Sequence, residues 1–309
     1  MAKRKKKSNV LPIVLGIIAA FLFGMYADRF VSQNTLKLPT FFSSTKETVT
    51  AKPIIDLVKL QEEVIPSKGY VFKIHWGDLG KRMIDDGVLD EAKFTKAITG
   101  GDTLPDDLKK YLDGSDQKQI ELTQQNAQFW VDLLWGLGLA NKNEILDNGP
   151  MMEGGTPGNF ASTGGWTIGQ KQPMDIYSKS SYIVLTDSQQ KKVLEIAEGV
   201  FRPCCGNSTA FPDCNHGMAA LGLIELMVSQ NFSKDQIYKT VLAFNSYWFP
   251  QTYLDISYHF AKAGRDYKTL SPKELLSKTF SSAMGYQVIR KEVGNVAWPA
   301  LKGGGSCGA

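Results

Sequence analysis

An apolar run near the start of the chain sets the strongest constraint on its topology. Eighteen residues without a charge, Val10 to Ala27, follow five consecutive basic residues, Lys3 to Lys7. As an α-helix this run would be about 27 Å long, close to the roughly 30 Å hydrocarbon core of a bilayer. A cleaved signal peptide has a shorter apolar region that ends in a small-x-small site, whereas the bulky Met25 stands two positions before Ala27. The pattern therefore predicts an uncleaved signal anchor.

Basic residues beside an anchor stay on the cytoplasmic side of the membrane, which predicts the orientation of the chain. We expect residues 1–9 to be a basic cytoplasmic tail and residues 10–27 to contact the lipid bilayer as a single transmembrane helix. The rest of the chain would then be extracytoplasmic, either periplasmic or extracellular. It would comprise a tether over 28–66, a helical domain over 67–300 and a Gly-rich tail over 301–309 that carries Cys307.

The charge distribution argues against a nucleic-acid partner. The formal net charge is +4, and the five residues Lys3 to Lys7 account for all of it. The remainder of the chain is nearly neutral, without the basic patch that nucleic-acid binding requires.

The downstream sequence predicts a mainly α fold with long irregular loops. Thr186 with Gln189, and Ser233 with Gln236, have the spacing of helix-starting capping boxes. The run from Ser181 to Thr186 is the one strand that the pattern predicts. Residues 148–175 are rich in glycine and interrupted by prolines, which predicts an irregular loop packed across the domain and a candidate cover for the cysteine site.

One segment is apolar almost all round, which predicts a buried central helix over Met218 to Gln230. Small residues in it, Gly222 among them, leave room for a second helix to approach closely. Glu225 is its one charged residue, and we expect this carboxylate to face water or a basic partner.

Three of the four cysteines lie just before that helix, at Cys204, Cys205 and Cys214, and His216 follows two positions later. Prolines 203 and 212 keep residues 202–213 out of regular helix. In an extended or turn conformation these four side chains can converge as ligands of a zinc or copper ion. Cys214 would also lie at a helix N-terminus, where the pKa of a thiol falls.

Three further residues extend this metal hypothesis. Asp213 would orient His216 through a hydrogen bond. Met218 and Cys307 are further candidate ligands. The next helix would begin near Cys214 or Gly217, with Asp213 or Asn215 as its cap.

Two other functions fit the same cysteines. In a membrane-tethered thiol–disulfide oxidoreductase, Cys214 would be the nucleophile, and Cys204 or Cys205 would resolve the mixed disulfide. In a non-enzymatic surface or scaffold protein, the cysteines would form structural disulfides, with Cys204 or Cys205 paired to Cys214 and the other to Cys307.

Residues 202–250 contain a thiol-bearing turn, two helices and an aromatic–proline exit. The matching positions are Arg202, Cys204 or Cys205, Ile237 and Pro250. This order is similar to the small three-helix domain of the membrane-anchored thiol reductases of cytochrome c maturation. The two cysteines of that family are separated by two residues, whereas Cys204 and Cys205 are adjacent. The resemblance therefore implies a shared architecture, and we carry no function over from it.

Overall fold

The computed structural model describes residues 55–299, which are mainly helical with little strand, as the sequence predicts. The predicted cytoplasmic tail, the transmembrane segment 10–27, residues 28–54 of the predicted tether and the tail 301–309 lie outside this range. Within the described range, no helix is both long and apolar enough to span a membrane.

Helices and strands are joined by connections of very different length. In chain order they are α1 (Leu57–Val64), β1 (Tyr70–Phe72), α2 (Leu79–Asp85), α3 (Glu91–Thr99), α4 (Asp106–Lys109), β2 (Ile120–Leu122), α5 (Ala127–Ala140), α6 (Glu144–Asn148), α7 (Ala161–Gly164), α8 (Pro173–Ile176), α9 (Asp187–Glu198), α10 (Asn215–Ser229), α11 (Lys234–Trp248), α12 (Pro250–Lys262), α13 (Pro272–Leu275), α14 (Lys278–Ser281) and α15 (Ala283–Val293).

Both predicted capping boxes are confirmed. The Thr186 side chain accepts a hydrogen bond from the backbone N–H of Gln189 at the start of α9, and the Gln189 side chain accepts one from the backbone N–H of Thr186. Ser233 and Gln236 make the same reciprocal pair at the start of α11. Local hydrogen bonding therefore fixes where these two helices begin.

The strand predicted over Ser181 to Thr186 is wrong, because this segment is irregular in the structure. Its backbone N–H at Ile183 donates to a side-chain oxygen, Asn141 Oδ1, at 2.9 Å. The described strands instead form a two-stranded antiparallel sheet of β1 and β2, in which Val71 lies opposite Glu121. A strand needs a neighbouring strand, and none in the described residues pairs along 181–186.

Helix α1 packs against the folded domain through Leu60 and Val64, which are both buried. Its N-cap Asp56 accepts a hydrogen bond from the backbone N–H of Lys59. The end of the segment predicted as a tether is therefore folded, and it belongs to the same unit as the helices that follow.

The central helix α10 is buried as predicted, and its most extensive contact is with α5. Two glycines set the distance between the helices. A Cβ added at Gly222 would lie 2.6 Å from the carbonyl oxygen of Leu134, and one added at Gly138 would lie 2.2 Å from that of Met218. The close helix approach expected at Gly222 is confirmed.

Glu225 is fully buried, so the expectation that it faces water or a basic partner is wrong. Its two carboxylate oxygens accept hydrogen bonds of 2.7 Å from the side-chain amides of Asn141 and Asn143. Burial raises the pKa of Glu225 well above its usual value, against the opposing effect of these two hydrogen bonds. The network ties the residues after α5 to the middle of α10.

Residues 148–175 pack across the domain, as the sequence predicts, and contain short helical turns. Trp166 is buried, and its indole N–H donates to the carbonyl oxygen of Val88 at 2.9 Å. The backbone N–H of Ser162 donates to the carbonyl oxygen of Asp213 at 3.2 Å, and the Phe160 ring contacts that of Phe211. The loop therefore contacts the cysteine-bearing segment.

We predict that Gly138→Ala destabilises the fold by about 2 kcal/mol. Alanine is favoured over glycine in a helix by about 1 kcal/mol, but the new methyl group would meet rigid backbone, so steric strain outweighs this gain. Urea unfolding of the full chain, followed by tryptophan fluorescence, measures the change.

Gly154→Ala is the matched control, because a Cβ there meets nothing within 4 Å. It should change the free energy of unfolding by less than about 0.5 kcal/mol. Equal stability of the two variants would contradict the proposed close helix contact.

Candidate metal and thiol centre

The cysteine-bearing segment is irregular from Arg202 to Asp213, as predicted, and backbone hydrogen bonds hold it at three points. Near its start, the N–H of Phe201 donates to the carbonyl oxygen of Leu276 at 2.8 Å. In the middle, the carbonyl oxygen of Cys205 accepts from the N–H of Ala283 at 2.9 Å. The contact between Ser162 and Asp213 holds its end. None of these bonds involves a cysteine sulfur.

Helix α10 begins one residue after Cys214, which occupies the N-cap position in an extended conformation. Neither predicted cap, Asp213 or Asn215, is correct. Asp213 lies one residue before the N-cap, and Asn215 is the first residue of the helix. The Cys214 side chain makes no capping hydrogen bond to the helix backbone. Its sulfur bonds to other side chains instead.

Cys204, Cys205 and Cys214 come together as a group of three thiols. Their sulfur atoms all lie within 4.8 Å of one another, and each residue is half-buried. The three are free thiols, and Cys204 Sγ lies 3.3 Å from Cys214 Sγ. This is the part of the predicted ligand set that the structure brings together.

Arg202 lies beside the group and is fully buried. Its Nε donates to Cys214 Sγ at 3.0 Å. The two terminal nitrogens donate to Asp213 Oδ1 at 2.9 Å and to the carbonyl oxygens of Asn207 and Phe211 at 3.3 and 3.1 Å. A buried cation is stable only when its charge and its N–H groups are matched in this way.

Gly217 makes room for this guanidinium. A Cβ at Gly217 would lie 2.3 Å from Arg202 Cζ, so any other residue would push the arginine out of its place. The glycine thus belongs to the site although it carries no reactive group.

Asp213 binds Arg202 rather than His216, so the orienting role expected for it is wrong. Its second carboxylate oxygen accepts a hydrogen bond of 2.8 Å from the Asn207 side-chain amide. Both oxygens are therefore used within the loop.

The three thiols differ in their pKa values. Hydrogen bonds from Cys204 and Cys205, together with the Arg202 charge, hold the pKa of Cys214 well below its usual value despite burial. Hydrogen bonds with Cys205 and Cys214 raise the pKa of Cys204. The bond with Cys204 lowers the pKa of Cys205, but the bond with Cys214 and burial outweigh it and raise that pKa to about 12. These directions favour the thiolate form of Cys214 and the protonated forms of Cys204 and Cys205.

His216 does not join the sulfur atoms. It lies in the first turn of α10, and its ring centroid is 4.4 Å from that of Phe249 and 5.7 Å from that of Trp248. Burial lowers the pKa of His216 to about 4, so the imidazole is neutral at pH 7. Met218 belongs to the hydrophobic core, and Cys307 lies outside the described residues.

Sequence reasoning missed Arg202 and Gly217 as site residues. One signal was present, because Arg202 is the only lysine or arginine between Lys192 and Lys234. A lone arginine next to three cysteines and an aspartate suggests an ion pair. Nothing in the sequence shows that Gly217 faces it.

Comparison with family models, with curated proteins and with solved structures found no match for this chain.

The thiol titration should depend on Arg202. In Gly217→Ala the guanidinium is displaced, the Cys214 thiolate loses a cation, and its pKa rises. We expect the pH midpoint of Cys214 alkylation by iodoacetamide to lie well below 9 in the native chain and to move to higher pH in this variant. Peptide mass spectrometry identifies the alkylated cysteine.

Gly206→Ala in the same loop is the control, because a Cβ there meets nothing within 4 Å. Its alkylation profile should match that of the native chain. A native profile in Gly217→Ala as well would show that Arg202 does not stabilise the thiolate.

Proposed function

We propose that Cys204, Cys205 and Cys214 bind a thiophilic metal ion, zinc or copper. The observation that carries the proposal is the mutual approach of the three sulfur atoms to within 4.8 Å. Metal–sulfur bonds of about 2.3 Å place the sulfur atoms of one ion roughly 3.8 Å apart. The observed spacing therefore needs only small side-chain movements to accept an ion.

Charge supports the same interpretation. The lowered pKa of Cys214 beside Arg202 favours the thiolate form, which is the form that binds a metal ion. Cys204 and Cys205 would each lose a proton when the ion binds, since the thiolate is the ligand form of cysteine. The Arg202 cation offsets part of the negative charge that three thiolates bring to a half-buried site.

The donor set favours soft ions. Three sulfur atoms without a nitrogen suit Cu(I), because thiolates select soft ions. Zinc adopts four ligands, so it would require a further donor, for which Cys307 or solvent are the candidates.

The proposal also places this site outside the cytoplasm, on a chain anchored through residues 10–27. Its support is the uncharged run of eighteen residues after Lys3 to Lys7. In this arrangement the domain would hold its ion close to a membrane surface.

Alkaline carbonate extraction of membranes tests the anchor. The native chain should stay in the pellet, whereas Ile17→Arg with Ile18→Arg should release it, since each charge at the centre of a spanning helix costs about 2.5–3.5 kcal/mol. Leu36→Arg, outside the run, is the control and should stay in the pellet. Release of the native chain would contradict an uncleaved anchor.

Metal binding is tested on the full chain, purified in neutral detergent without oxygen and titrated with Zn²⁺ or Cu⁺. We expect about one ion per chain and release of about two protons per ion at pH 7, one each from Cys204 and Cys205. Elemental analysis gives the stoichiometry, and a pH-indicator dye gives the proton count. Replacing any of the three cysteines by serine should weaken binding more than about 100-fold.

His216→Phe is the matched control, because the ring packs against Phe249 and does not join the sulfur atoms. It should bind metal with native affinity. Native affinity in all three serine variants would overturn the proposal, and loss of binding in Cys307→Ser would identify a fourth ligand.

Thiol–disulfide exchange is a second candidate, favoured by two distances. Arg202 Nε lies 3.0 Å from Cys214 Sγ, and Cys204 Sγ lies 3.3 Å from the same sulfur. The Cys214 thiolate would attack a substrate disulfide, form a mixed disulfide and release one substrate thiolate. Cys204, after losing its proton, would attack Cys214 Sγ and release the second, leaving a Cys204–Cys214 disulfide and two reduced substrate sulfurs.

The third cysteine distinguishes the two functions. Exchange needs only Cys204 and Cys214. If exchange is the activity, Cys205→Ser should therefore still reduce a disulfide probe. Metal binding needs all three sulfurs. A Cys205→Ser variant that loses metal but shows no exchange favours the metal function.

A further inference from the structure

A second concave surface lies at α1, β1, α11 and residues 267–275, and shares no residue with the cysteine loop. It is a groove of about 1280 Å³, larger than the roughly 300–1,000 Å³ typical of small-molecule sites. Apolar side chains dominate its lining and include Val71, Phe72, Ile74, Phe232, Leu242 and Leu270.

Aromatic contacts hold the walls of this groove in place. The Phe72 ring stacks on that of Phe244 at 5.6 Å, and Tyr70 meets Tyr247 edge-on at 6.1 Å. The Tyr247 hydroxyl donates to the carbonyl oxygen of Pro66 at 2.5 Å. The groove is therefore formed by packed core elements rather than by surface loops alone.

Apolar groups in the groove are left facing water. Val58 on α1 and Val71 on β1 both line it, and their exposed fractions are 65% and 61%. Exposed apolar side chains that converge on a groove, rather than being scattered, are typical of a ligand-binding surface.

The carboxylates around the groove are already engaged within the protein. Asp56 caps α1, and Glu62 accepts hydrogen bonds from the backbone and side chain of Ser67. Glu63 forms an ion pair with Lys268 at 3.1 Å. Of these acids, Glu63 is thus paired with a cation, while neutral donors hold Asp56 and Glu62 in place.

Three lysines that line the groove have no such partner. Lys59, Lys73 and Lys239 are exposed and form no ion pair within residues 55–299. They come from α1, the residue after β1, and α11, so they surround the apolar lining from three elements. With Lys268, four lysines line the groove against three acids, so the formal charge of the rim is +1 and favours an anion.

We propose that this groove binds a single-chain anionic amphiphile of the fatty-acid class. The alkyl chain lies along Val71, Phe72 and Leu242, and the carboxylate is held by the lysines at the rim. Binding here is independent of the cysteine site, because the two surfaces have no residue in common.

A photoreactive palmitate analogue tests the proposal on the full chain in nanodiscs of zwitterionic phosphatidylcholine. After irradiation, mass spectrometry should find the label on peptides from β1 and α11. Labelling should fall about tenfold in the triple variant Lys59→Gln, Lys73→Gln, Lys239→Gln. Unlabelled palmitate should compete, and hexadecanol should compete more weakly because it lacks the charge.

Val71→Asp should also lower labelling of these peptides, since it adds an anion among the apolar side chains at an exposed position. The matched controls are Val184→Asp, also exposed and outside the groove, and a triple variant of Lys171, Lys278 and Lys291 to Gln. Both should label as the native chain does.

Two results would overturn the proposal. Label confined to peptides from residues 10–27, and absent from β1 and α11, would show partition into the bilayer alone. Undiminished labelling in the Lys59, Lys73 and Lys239 variant would show that the groove does not select an anion. Circular dichroism melting checks that each variant is folded.

Discussion

A guanidinium that leaves water must find partners for its charge and for its N–H groups inside the protein. Arg202 finds them within twelve residues of itself, in Cys214, Asp213 and two backbone carbonyls. The interaction connects the beginning of the cysteine loop to its end and to the first turn of α10. The buried cation also adds to the effect of the Cys204 and Cys205 hydrogen bonds, which lower the pKa of Cys214.

Much of the helical fold could be predicted, because local signals produce it. The capping boxes at Thr186 and Ser233 give the start of two helices, and the apolar run after Gly217 gives the central helix. Long-range contacts could not be predicted. The sequence of Glu225 and its neighbours contains no sign of Asn141 and Asn143, which lie more than eighty residues away and satisfy its carboxylate in the core.

The candidate site likewise combines features that local sequence predicts with contacts that it does not. The three cysteines are close in sequence, and two prolines keep their loop irregular, so their convergence was predictable. His216 was expected to join them on the condition that the chain stayed extended past Cys214. The helix begins at Asn215, which directs the imidazole to Phe249 instead. Asp213 was expected to bind His216 but binds Arg202. The sequence alone does not show that Arg202 is buried and needs this carboxylate.

Three backbone hydrogen bonds hold the cysteine loop, through Leu276, Ala283 and Ser162. They decide whether the loop loses its conformational entropy when the domain folds or when an ion binds. In a zinc finger the chain orders as the ion binds, so binding and folding are one transition. Here backbone bonds that involve no sulfur hold the loop at three points, so its entropy is lost when the domain folds. An ion would meet a preorganised chelate, so its binding and release would leave the domain folded.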